Sequence, residues 1–583
     1  MDIFSVFTLC GGLAFFLYGM SVLSAGLEKM AGSTLQQLLK QMTSNPIKSL
    51  LLGAGITIAI QSSSAMTVML VGLVNSGIMQ LGQTIGVIMG SNVGTTLTAW
   101  ILSLSGIESS NVWVKMLKPE SFSPVLALIG IVLIMASKSD RKRSVGSVMV
   151  GFAILMYGME LMKDAMSPLA DMPEFADILT AFTNPLLGLL VGAVFTGVIQ
   201  SSAASVGILQ ALSLTGGITY GIAMPIIMGQ NIGTCVTALL SSIGVNRNAR
   251  RVAVVHISFN LIGSLVFMVA FYGTGMFINY TFLDWAIDPV GIAVIHSIFN
   301  IATTALLLPF TKQLEWIANR VVKEGSEEQK VTFVDSRLLA TPSIAIAECA
   351  NKTVEMAKLA KETILQALSL LDKYDEKLGL QVKEREDQLD IYEDKLGTIL
   401  VQLSSKSLSD ADSHQVSKQL HTIGDFERIG DHAVNLWKTA EEIHTKKIQF
   451  SAAAQKEIAV LVAALREILE ITTRAFAEDD MDLAKKVEPL EQVIDYLITS
   501  IRANHVKRLK DGNCTIELGF VLSDLLTNCS RVSDHCSNIA VAQIETAQNA
   551  YDAHQYLNSV KSGSDADFQL AYEAYRARYS LIG

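Results

Sequence analysis

The sequence predicts an all-α, polytopic membrane protein with inverted repeats and two re-entrant hairpins, followed by a cytosolic helical domain of two three-helix bundles. Three observations support this fold class. Half of the 583 residues are hydrophobic. Only 25 of the 100 charged residues lie in residues 1–310, as is typical of membrane segments. Polar motifs within apolar segments recur at a constant spacing of 139 residues.

This duplication organises the first half of the chain. The stretch Gln61-Ser62-Ser63-Ser64 recurs as Gln200-Ser201-Ser202-Ala203, and the stretch from Gly90 to Thr95 recurs from Gly229 to Thr234. The register holds without a gap from Tyr18 to Thr237. Internal duplication is the usual architecture of secondary transporters.

Composition and apolar runs divide the chain into four parts. A membrane transport domain is predicted at 1–310, with repeat 1 at about 3–137, repeat 2 at about 145–271 and a further span to 310. A linker at 311–342, a helical domain at 343–548 and a C-terminal tail helix at 549–583 follow. Full spans are predicted at about 3–25, 82–104, 122–137, 145–162, 222–243, 252–271 and 291–310.

The two segments that carry the Gln-Ser motifs have an unusual length. Residues 46–77 and 185–216 each comprise 32 residues. Two full crossings need about 20 residues each, so 32 are too few, and a single helix would bury the polar run at its middle. A re-entrant hairpin fits, because irregular backbone at membrane depth is tolerated where protein or a water-filled cavity surrounds it.

The distribution of basic residues predicts the orientation. The loops at 26–49, 138–144 and 245–251 carry ten Lys and Arg residues, whereas those at 105–121, 163–185 and 272–290 carry three. The first set is therefore predicted to be cytoplasmic, in a multi-pass protein of the cell inner (cytoplasmic) membrane. The N-terminus then lies outside and the C-terminal domain inside. Three crossings separate the two motifs, so the repeats are predicted to be inverted.

The hairpin tips are candidate binding sites. A half-helix that begins at mid-membrane offers N–H donors to an anion, and one that ends there offers carbonyl oxygens to Na⁺. With no Lys or Arg near either motif, an anion would depend on neutral donors and co-bound cations. Close packing of small residues is the alternative, but co-duplication favours a site. The candidate substrate- and ion-binding residues are Gln61, Ser62, Ser63, Ser64, Asn92, Thr95, Gln200, Ser201, Ser202, Asn231 and Thr234.

A second, local echo follows the repeats. His256 and Asn260, like His296 and Asn300, are four residues apart and share a helix face. A proton-sensitive or substrate-adjacent site is one interpretation. An interhelical hydrogen-bonded pair that packs the scaffold is the interpretation we favour.

The paired Gln-Ser-Ser motifs, the hairpins and the Gly-x-Asn-x-Gly-Thr elements resemble the sodium-dependent phosphate cotransporter family (type II Na/Pi). The resemblance covers roughly residues 5–310. It implies inorganic phosphate as the substrate, Na⁺ as the coupling ion, and the hairpin motifs as the lining of the site. Ala203 departs from the family pattern and lacks the hydroxyl that Ser64 has, so the two hairpins need not contribute equally.

The second half of the chain is acidic, with 32 basic and 43 acidic residues after residue 310. Without a basic stripe, nucleic acid is not a predicted partner. Helix breaks near 373, 409, 448, 480 and 511 predict six helices. Carboxylates one turn apart could cluster as hard metal ligands or form a solvated face. The candidate metal ligands are Glu386, Asp390, Glu427 and Asp431, with Glu491, Asp495 and Asp534 in a weak second copy.

The run from Asp425 to His432 resembles the PhoU domain, a phosphate-signalling helical module, and the resemblance covers about 343–548. It implies a divalent or trivalent metal at the acidic motifs and a regulatory role. Ser530 stands where a carboxylate is expected, so the second site is predicted to bind metal less fully.

The leading hypothesis is a sodium-coupled inorganic phosphate transporter with a cytosolic PhoU-like regulator. Two alternatives remain open: a phosphate-sensing membrane regulator with little net transport, and a cotransporter of another oxyanion or dicarboxylate. The lipid bilayer and phosphate are the predicted partners, and a second copy of the chain or a phosphate-signalling protein is a further candidate. An enzyme is not predicted, because the membrane part has no nucleotide loop or nucleophile motif.

Overall fold

A computed structural model describes residues 3–40, 45–106, 118–166, 183–275, 277–323, 333–406, 408–547 and 566–581. Within these ranges the chain is helical, and the β-structure is one isolated bridge between Thr219 and Ala286. The all-α prediction is confirmed. The chain forms two compact units, Met1–Ile344 and Ala345–Gly583, which are described separately below.

The first unit holds the apolar helices. They are α1 (Ile3–Lys40), α2 (Pro46–Ile60), α3 (Ser63–Asn75), α4 (Leu81–Ser103), α5 (Pro119–Ala136), α6 (Asp140–Met166), α7 (Pro185–Ile199), α8 (Ser202–Ser213), α9 (Tyr220–Gly233), α10 (Cys235–Ser241), α11 (Arg247–Met268), α12 (Pro289–Leu307) and α13 (Thr311–Val321).

Six stretches in this part of the structure are long and apolar enough to cross a membrane. They are Ile3–Met30, Leu81–Gly106, Asp140–Met166, Tyr220–Ser241, Arg247–Gly273 and Pro289–Val321. Five of them contain a predicted span, and Tyr220–Ser241 covers all but the last two residues of the span predicted at 222–243. The remaining predicted span, 122–137, corresponds to the shorter helix α5 of 18 residues. The protein is therefore a multi-pass membrane protein.

Helices α1 and α6 are equivalent in the two repeats and pack in opposite directions. A Cβ atom at Gly12 would lie 2.9 Å from Met162, and one at Gly26 would lie 2.8 Å from Val148. Residue numbers thus rise along α1 as they fall along α6. Antiparallel packing of equivalent helices is what inverted repeats require.

The contact between α1 and α6 is also symmetric under the 139-residue offset. Gly19 packs on the backbone of Leu155, where a Cβ would lie 2.3 Å from the amide nitrogen. Gly158 packs on the backbone of Phe16, with a corresponding distance of 2.4 Å. The offset converts one pair into the other, so a two-fold relation passes through this crossing. This relation is the one that inverted repeats predict.

The first helix of each hairpin packs on its repeat's long helix through glycine. A Cβ at Gly90 of α4 would lie 1.9 Å from the carbonyl oxygen of Leu50, and one at Gly229 of α9 would lie 2.0 Å from that of Leu189. A side chain cannot occupy either position without separating the helices. These glycines position each hairpin beside its Gly-x-Asn-x-Gly-Thr element.

The second unit is a set of long helices around a core of Leu, Ile and Val. They are α14 (Pro342–Asp372), which begins three residues before the unit boundary, α15 (Glu376–Ser404), α16 (Asp410–Thr445), α17 (Ala452–Glu478), the short α18 (Met481–Ala484), α19 (Val487–Lys510), α20 (Ile516–Ala547) and the tail helix α21 (Ala566–Arg578). The five predicted breaks fall between these helices.

Candidate functional site

Each hairpin turns at a glutamine with left-handed backbone. Gln61 follows α2 with φ 56° and ψ 27°, and Gln200 follows α7 with φ 56° and ψ 25°. Both donate a backbone N–H to the carbonyl of a threonine four residues earlier, at 2.7 Å. A left-handed residue after the last helical turn ends a helix and satisfies one terminal carbonyl. The polar motif is therefore a break between two helices, as predicted.

The first serine of each motif caps the second helix of the hairpin. Ser62 Oγ accepts from Ala65 N at 3.1 Å, and Ser201 Oγ accepts from Ala204 N at 3.2 Å. This is the usual N-cap role of serine. These two hydroxyls thus have a structural partner, which the sequence did not reveal.

The cap leaves other donors at the tip. In α3 the first helical hydrogen bond runs from Met66 N to Ser62 O at 3.2 Å. The N–H groups of Ser63 and Ser64 precede it, so they have no carbonyl partner within the helix. Ser202 and Ala203 occupy the same positions in α8, where the first bond runs from Ser205 N to Ser201 O. Helix N-termini of this kind attract anions.

The two tips differ at their glutamine side chains. Gln61 is buried, donates from Nε2 to Ile58 O at 2.7 Å and accepts from Thr98 Oγ1 at 2.9 Å. Gln200 is exposed, and Thr237, the equivalent of Thr98, has a buried hydroxyl oxygen with no hydrogen-bond partner among the described residues. The Gln61 side chain is therefore hydrogen-bonded to α4, whereas the Gln200 side chain is exposed.

The motif asparagines and threonines each donate one hydrogen bond to a carbonyl three or four residues earlier. Asn92 Nδ2 donates to Ile88 O at 3.0 Å, and Asn231 Nδ2 donates to Ile227 O at 2.9 Å. The Thr95 hydroxyl likewise donates to Ser91 O at 2.9 Å, and the Thr234 hydroxyl donates to Asn231 O at 2.6 Å. Their oxygen lone pairs remain as acceptors, which is the chemistry that a hard cation requires.

The glycines of these elements lie at close contacts between helices. Helix α4 runs unbroken from Leu81 to Ser103 through its motif. In the second repeat α9 ends at Gly233, and Thr234 separates it from α10. Thr234 itself keeps right-handed helical backbone, with φ −61° and ψ −25°.

Hydrogen bonds bring some predicted residues together and leave others apart. Gln61 reaches α4 through Thr98, and Thr57 donates to Ser91 at 2.8 Å beside Asn92. Among the described residues no hydrogen bond joins the serines of one tip to those of the other. Thr98 was not predicted, although its recurrence as Thr237 in the duplication was a signal that could have found it.

The histidine echo does not form the expected interhelical pair. Both imidazoles are buried, and Nδ1 of each has no partner among the described residues. The Asn260 amide donates to His256 O at 3.1 Å, and the Asn300 amide donates to His296 O at 2.8 Å. The amide of Asn260 also reaches Cys235 Sγ on α10 at 3.4 Å, and Cys235 Sγ donates to His256 O at 3.6 Å, so the first His-Asn pair contacts α10 through a cysteine.

In the second unit, the predicted acidic residues form two clusters on equivalent helix pairs. Carboxylate oxygens of Glu386, Asp390 and Asp431 lie within 4.8 Å of one another, on α15 and α16. Those of Glu491, Asp495 and Asp534 do the same on α19 and α20. This spacing suits oxygen ligands around one cation.

Glu427 lies outside the first cluster, contrary to the expectation of four clustered carboxylates. Its side chain is one turn before Asp431 on α16. Burial, followed by the neighbouring Asp431 carboxylate, raises the pKa of Glu427 to about 7. Burial also raises the pKa of Asp534 in the second cluster, assisted by Asp495. Negative charge is therefore costly at both places without a cation.

A lysine distinguishes the clusters, and sequence reasoning missed it. Lys383 Nζ pairs with Glu386 and lies 2.9 Å from Asp387. The equivalent position in the second copy is Glu488, a buried carboxylate that accepts from Ser537. The first cluster thus has an internal counter-ion, whereas the second has a further carboxylate beside it. A cavity of about 440 Å³ adjoins the first cluster, between Lys383 and Trp437.

Comparison with known proteins identifies both units. The sequence model of the Na⁺/Pi-cotransporter family matches residues 15–164 and 154–287, once for each repeat. The protein YqeW of Bacillus subtilis, which is uncharacterized, is 31% identical over 301 residues, covering 51% of this chain and 92% of YqeW. The chain belongs to the Na⁺/Pi-cotransporter family. The model of the PhoU domain matches residues 353–440 and 460–542 of this cotransporter-family chain, in the second unit.

Two further relatives of this cotransporter-family chain carry names that describe phosphate transport. The Escherichia coli protein YjbB, named for inorganic phosphate export, is 22% identical over 544 residues, covering 92% of this chain and 97% of YjbB. Sodium-dependent phosphate transport protein 2A of Rattus norvegicus is 35% identical over 96 residues, covering 16% of this chain and 15% of the rat protein. The first relative spans both units, and the second matches a short segment.

Proposed function

We propose that this protein is a sodium-coupled transporter of inorganic phosphate whose soluble unit regulates transport in response to a bound metal ion. The observation that carries the proposal is the pair of hairpin tips. Each combines serine hydroxyls and the helix N-terminal N–H groups that the serine cap does not use with a nearby element that offers amide and hydroxyl oxygens as acceptors. Family membership supports phosphate and sodium as the two ligands.

Phosphate is assigned to the donor side of each tip. The N–H groups of Ser63 and Ser64, and the hydroxyls of Ser63 and Ser202, are neutral donors at the start of α3 and α8. No Lys or Arg lies within either hairpin beyond Lys48 at its entrance. Binding a divalent anion there requires compensating positive charge, which co-bound cations supply. Sodium coupling follows from this charge requirement.

Sodium is assigned to the acceptor side. The amide oxygens of Asn92 and Asn231 and the hydroxyl oxygens of Thr95 and Thr234 keep lone pairs after their donors are used. Thr237 adds a buried hydroxyl oxygen without a partner in the described structure. Oxygen ligands of this kind, and the carbonyls at half-helix ends, are those that secondary transporters offer to Na⁺.

The orientation and the re-entrant hairpins are part of the same proposal. Helix α2 has 15 residues and α3 has 13, so each is about 20 Å long and too short to cross about 30 Å of hydrocarbon. The basic loops support a cytoplasmic position for the second unit and an inner-membrane location. The hairpins then enter from opposite sides.

For the soluble unit, the two carboxylate clusters support metal binding. Three carboxylates within 4.8 Å repel one another unless a cation or protons intervene. The residues present fit a hard cation, since each supplies an oxygen ligand. Metal bound there would join α15 to α16 and α19 to α20, and so stiffen the unit.

The experiment is uptake of labelled phosphate by the purified full chain in proteoliposomes. An inward Na⁺ gradient should drive uptake, and an equal K⁺ gradient should not. Competition by sulfate, arsenate and dicarboxylates separates phosphate from the other substrates. Phosphate binding without sodium-dependent uptake would instead support the phosphate-sensing regulator.

A further inference from the structure

The segment before α14 is part of the first unit and is buried there. Residues 333–341 follow the last apolar helix in sequence, in the region where a linker is predicted. Within this segment Asp335 is 2% exposed and Leu338 is 0% exposed. The unit boundary lies beyond the segment, at Ile344.

Asp335 binds the end of the first hairpin. Its Oδ2 accepts from Asn75 Nδ2 at 2.6 Å, and its backbone N–H donates to Ser76 Oγ at 3.2 Å. Arg337 neutralises the carboxylate, with Nη1 at 3.1 Å from Oδ2, and donates from Nη2 to Ile243 O at 2.6 Å. A buried carboxylate persists only when it is paired and hydrogen-bonded, and here it has both kinds of partner.

Asn75 connects this segment to a third element. Its side-chain oxygen accepts from Asn246 N at 2.7 Å, and its carbonyl accepts from Asn246 Nδ2 at 3.0 Å. Asn246 is the N-cap of α11. The last residue of α3 thus uses both ends of its amide, one for the 333–341 segment and one for α11.

An apolar contact lies beside the polar network. Leu338 packs on Gly72 of α3, where a Cβ would lie 3.0 Å from Leu338 Cδ2 and 3.3 Å from Leu338 Cγ. The segment therefore holds the final turn of α3 from one side. Thr341 N bonds back to Leu338 O at 2.9 Å, and Pro342 begins the 31-residue helix α14 directly afterwards.

The second hairpin is held differently. The positions equivalent to Gly72, Asn75 and Ser76 are Ala211, Leu214 and Thr215, and a leucine cannot make the amide bonds of Asn75. Instead Gln210 donates from Nε2 to Ala99 O and Pro289 O, both at 3.0 Å. The second hairpin is held by helices of the bundle, and the first is held both by α11 and by the segment that leads into the soluble unit.

We propose that residues 333–341 form a latch through which the soluble unit controls movement of the first hairpin. The proposal rests on the transport function proposed above. A shift of α14 changes the positions of Asp335 and Leu338, because only residues 339–341 separate Leu338 from the start of α14. Thr341 is also hydrogen-bonded back to Leu338, so this connection is short and ordered. When the latch separates from the last turn of α3, that turn and the tip that carries Ser63 become free to move. A ligand of the soluble unit can bias the hairpin by this route to the extent that it prefers one latch position.

A reversible cross-link tests whether the latch moves. A sulfur at the place of Leu338 Cγ would lie 3.3 Å from a Cβ at position 72, which suits a disulfide between Gly72→Cys and Leu338→Cys. The full chain is used, with Cys10 and Cys514 replaced by serine. We expect oxidation to lower sodium-driven phosphate uptake at least tenfold and reductant to restore it. The single-cysteine proteins should not respond. Uptake that is unchanged by complete cross-linking would show a static support and overturn the proposal.

A second experiment tests the link to α14. Insertion of six Gly/Ser residues between Thr341 and Pro342 should change the uptake rate at least threefold. The same insertion at Gly512, in the turn between α19 and α20, is the matched control and should not. Equal effects of both insertions, or none, would contradict control through the latch.

Hydrogen exchange separates failure of the latch from failure of the transport function. Asn75→Leu gives the first hairpin the residue that the second hairpin has at the equivalent position, Leu214. Amide exchange should rise at least tenfold both in 72–76 and in 333–341, and should not change in 211–215. A change confined to 72–76 would overturn the latch. A parent protein without sodium-driven uptake would refute the transport function alone, and the exchange result would still decide on the latch.

Discussion

Thr98 donates a 2.9 Å hydrogen bond to the side-chain oxygen of Gln61, and this bond closes the first hairpin tip onto α4. The duplication repeats both residues as Thr237 and Gln200, but the described structure has no such bond there. The two repeats thus differ at their hairpin tips. Alternating access by inverted repeats requires such an asymmetry, with the repeats exchanging states between inward-open and outward-open forms.

The asymmetry predicts that the same Thr→Val substitution affects stability in the first repeat and sodium dependence in the second. Thr98→Val leaves Gln61 Oε1 buried without a donor, which should cost about 1–3 kcal/mol of stability. Thr237→Val removes a hydroxyl that has no partner in the described structure. It should change the unfolding temperature little and raise the sodium concentration needed for half-maximal uptake. Thermal unfolding of the purified full chain measures the first effect, and sodium titration of uptake measures the second. A larger loss of stability in Thr237→Val would contradict this account of the tips.

Close packing of the hairpins predicts strong sensitivity at two glycines. A Cβ at Gly90 or Gly229 would lie 1.9 or 2.0 Å from a backbone carbonyl oxygen of the hairpin. Alanine at either position should lower stability by about 1–3 kcal/mol or more, because the backbone must move. Gly55→Ala is the matched control, since no atom lies within 4 Å of a Cβ there. Detergent-resistant folding should be lost in the first two variants and kept in the third. Equal behaviour of all three would show that this packing is not tight.

Inversion predicts opposite accessibility of two equivalent residues. Asn45 and Asn184 are exposed N-caps that begin α2 and α7. Single cysteines at these positions, with native cysteines replaced, should react with an impermeant maleimide from opposite sides of the membrane. Reaction of both from the same side would contradict hairpins that enter from opposite faces.

Much of the fold could be predicted because the duplication acts as a second reading of the same sequence. It located the helix breaks at Gln61 and Gln200, because a polar run that recurs within an apolar segment indicates an interruption of the helix in both repeats. The duplication could not predict the packing of Gly90. A glycine can either loosen a helix or allow another helix to pack closely, and which of the two applies depends on the tertiary structure. The latch residue Asp335 carries no motif, and its role comes from partners 259 and 260 positions away in the chain.

In the soluble unit, too, local patterns could be predicted from the sequence and tertiary contacts could not. The sequence located the carboxylates of both clusters, because their spacing is local to each helix. It ranked the second cluster lower on account of Ser530, which in the structure donates to Asp495 Oδ1 at 3.4 Å. The ranking depends equally on Lys383 and Glu488, whose proximity to the clusters is a tertiary fact. We therefore expect the second cluster to bind metal at least as well as the first.

The raised pKa of Glu427 predicts how metal-free stability changes with pH. The pKa is about 7 in the folded unit, against an ordinary value of 4.5. Folding therefore favours the protonated form, and the stability that this group contributes is complete below pH 4.5 and is lost as pH rises through 7. In an isolated fragment of residues 342–583 without metal, Glu427→Gln should raise the unfolding temperature relative to the parent fragment at pH 8 and leave it unchanged at pH 4.5. Glu384→Gln, on an exposed face of α15, is the control. A parent unit with no loss of stability between pH 4.5 and 8 would contradict this assignment.

Sodium-driven uptake by serine variants tests the central claim, that the hairpin tips hold the transported phosphate. Ser63→Ala and Ser202→Ala each remove a hydroxyl from the first turn of α3 or α8 while keeping the cap made by the preceding serine. Both variants should insert at normal levels and remain folded. In proteoliposomes with an inward Na⁺ gradient, the parent should accumulate labelled phosphate and each variant should lose at least tenfold in uptake. Normal uptake by both folded variants, or uptake by the parent that does not depend on Na⁺, would contradict the account.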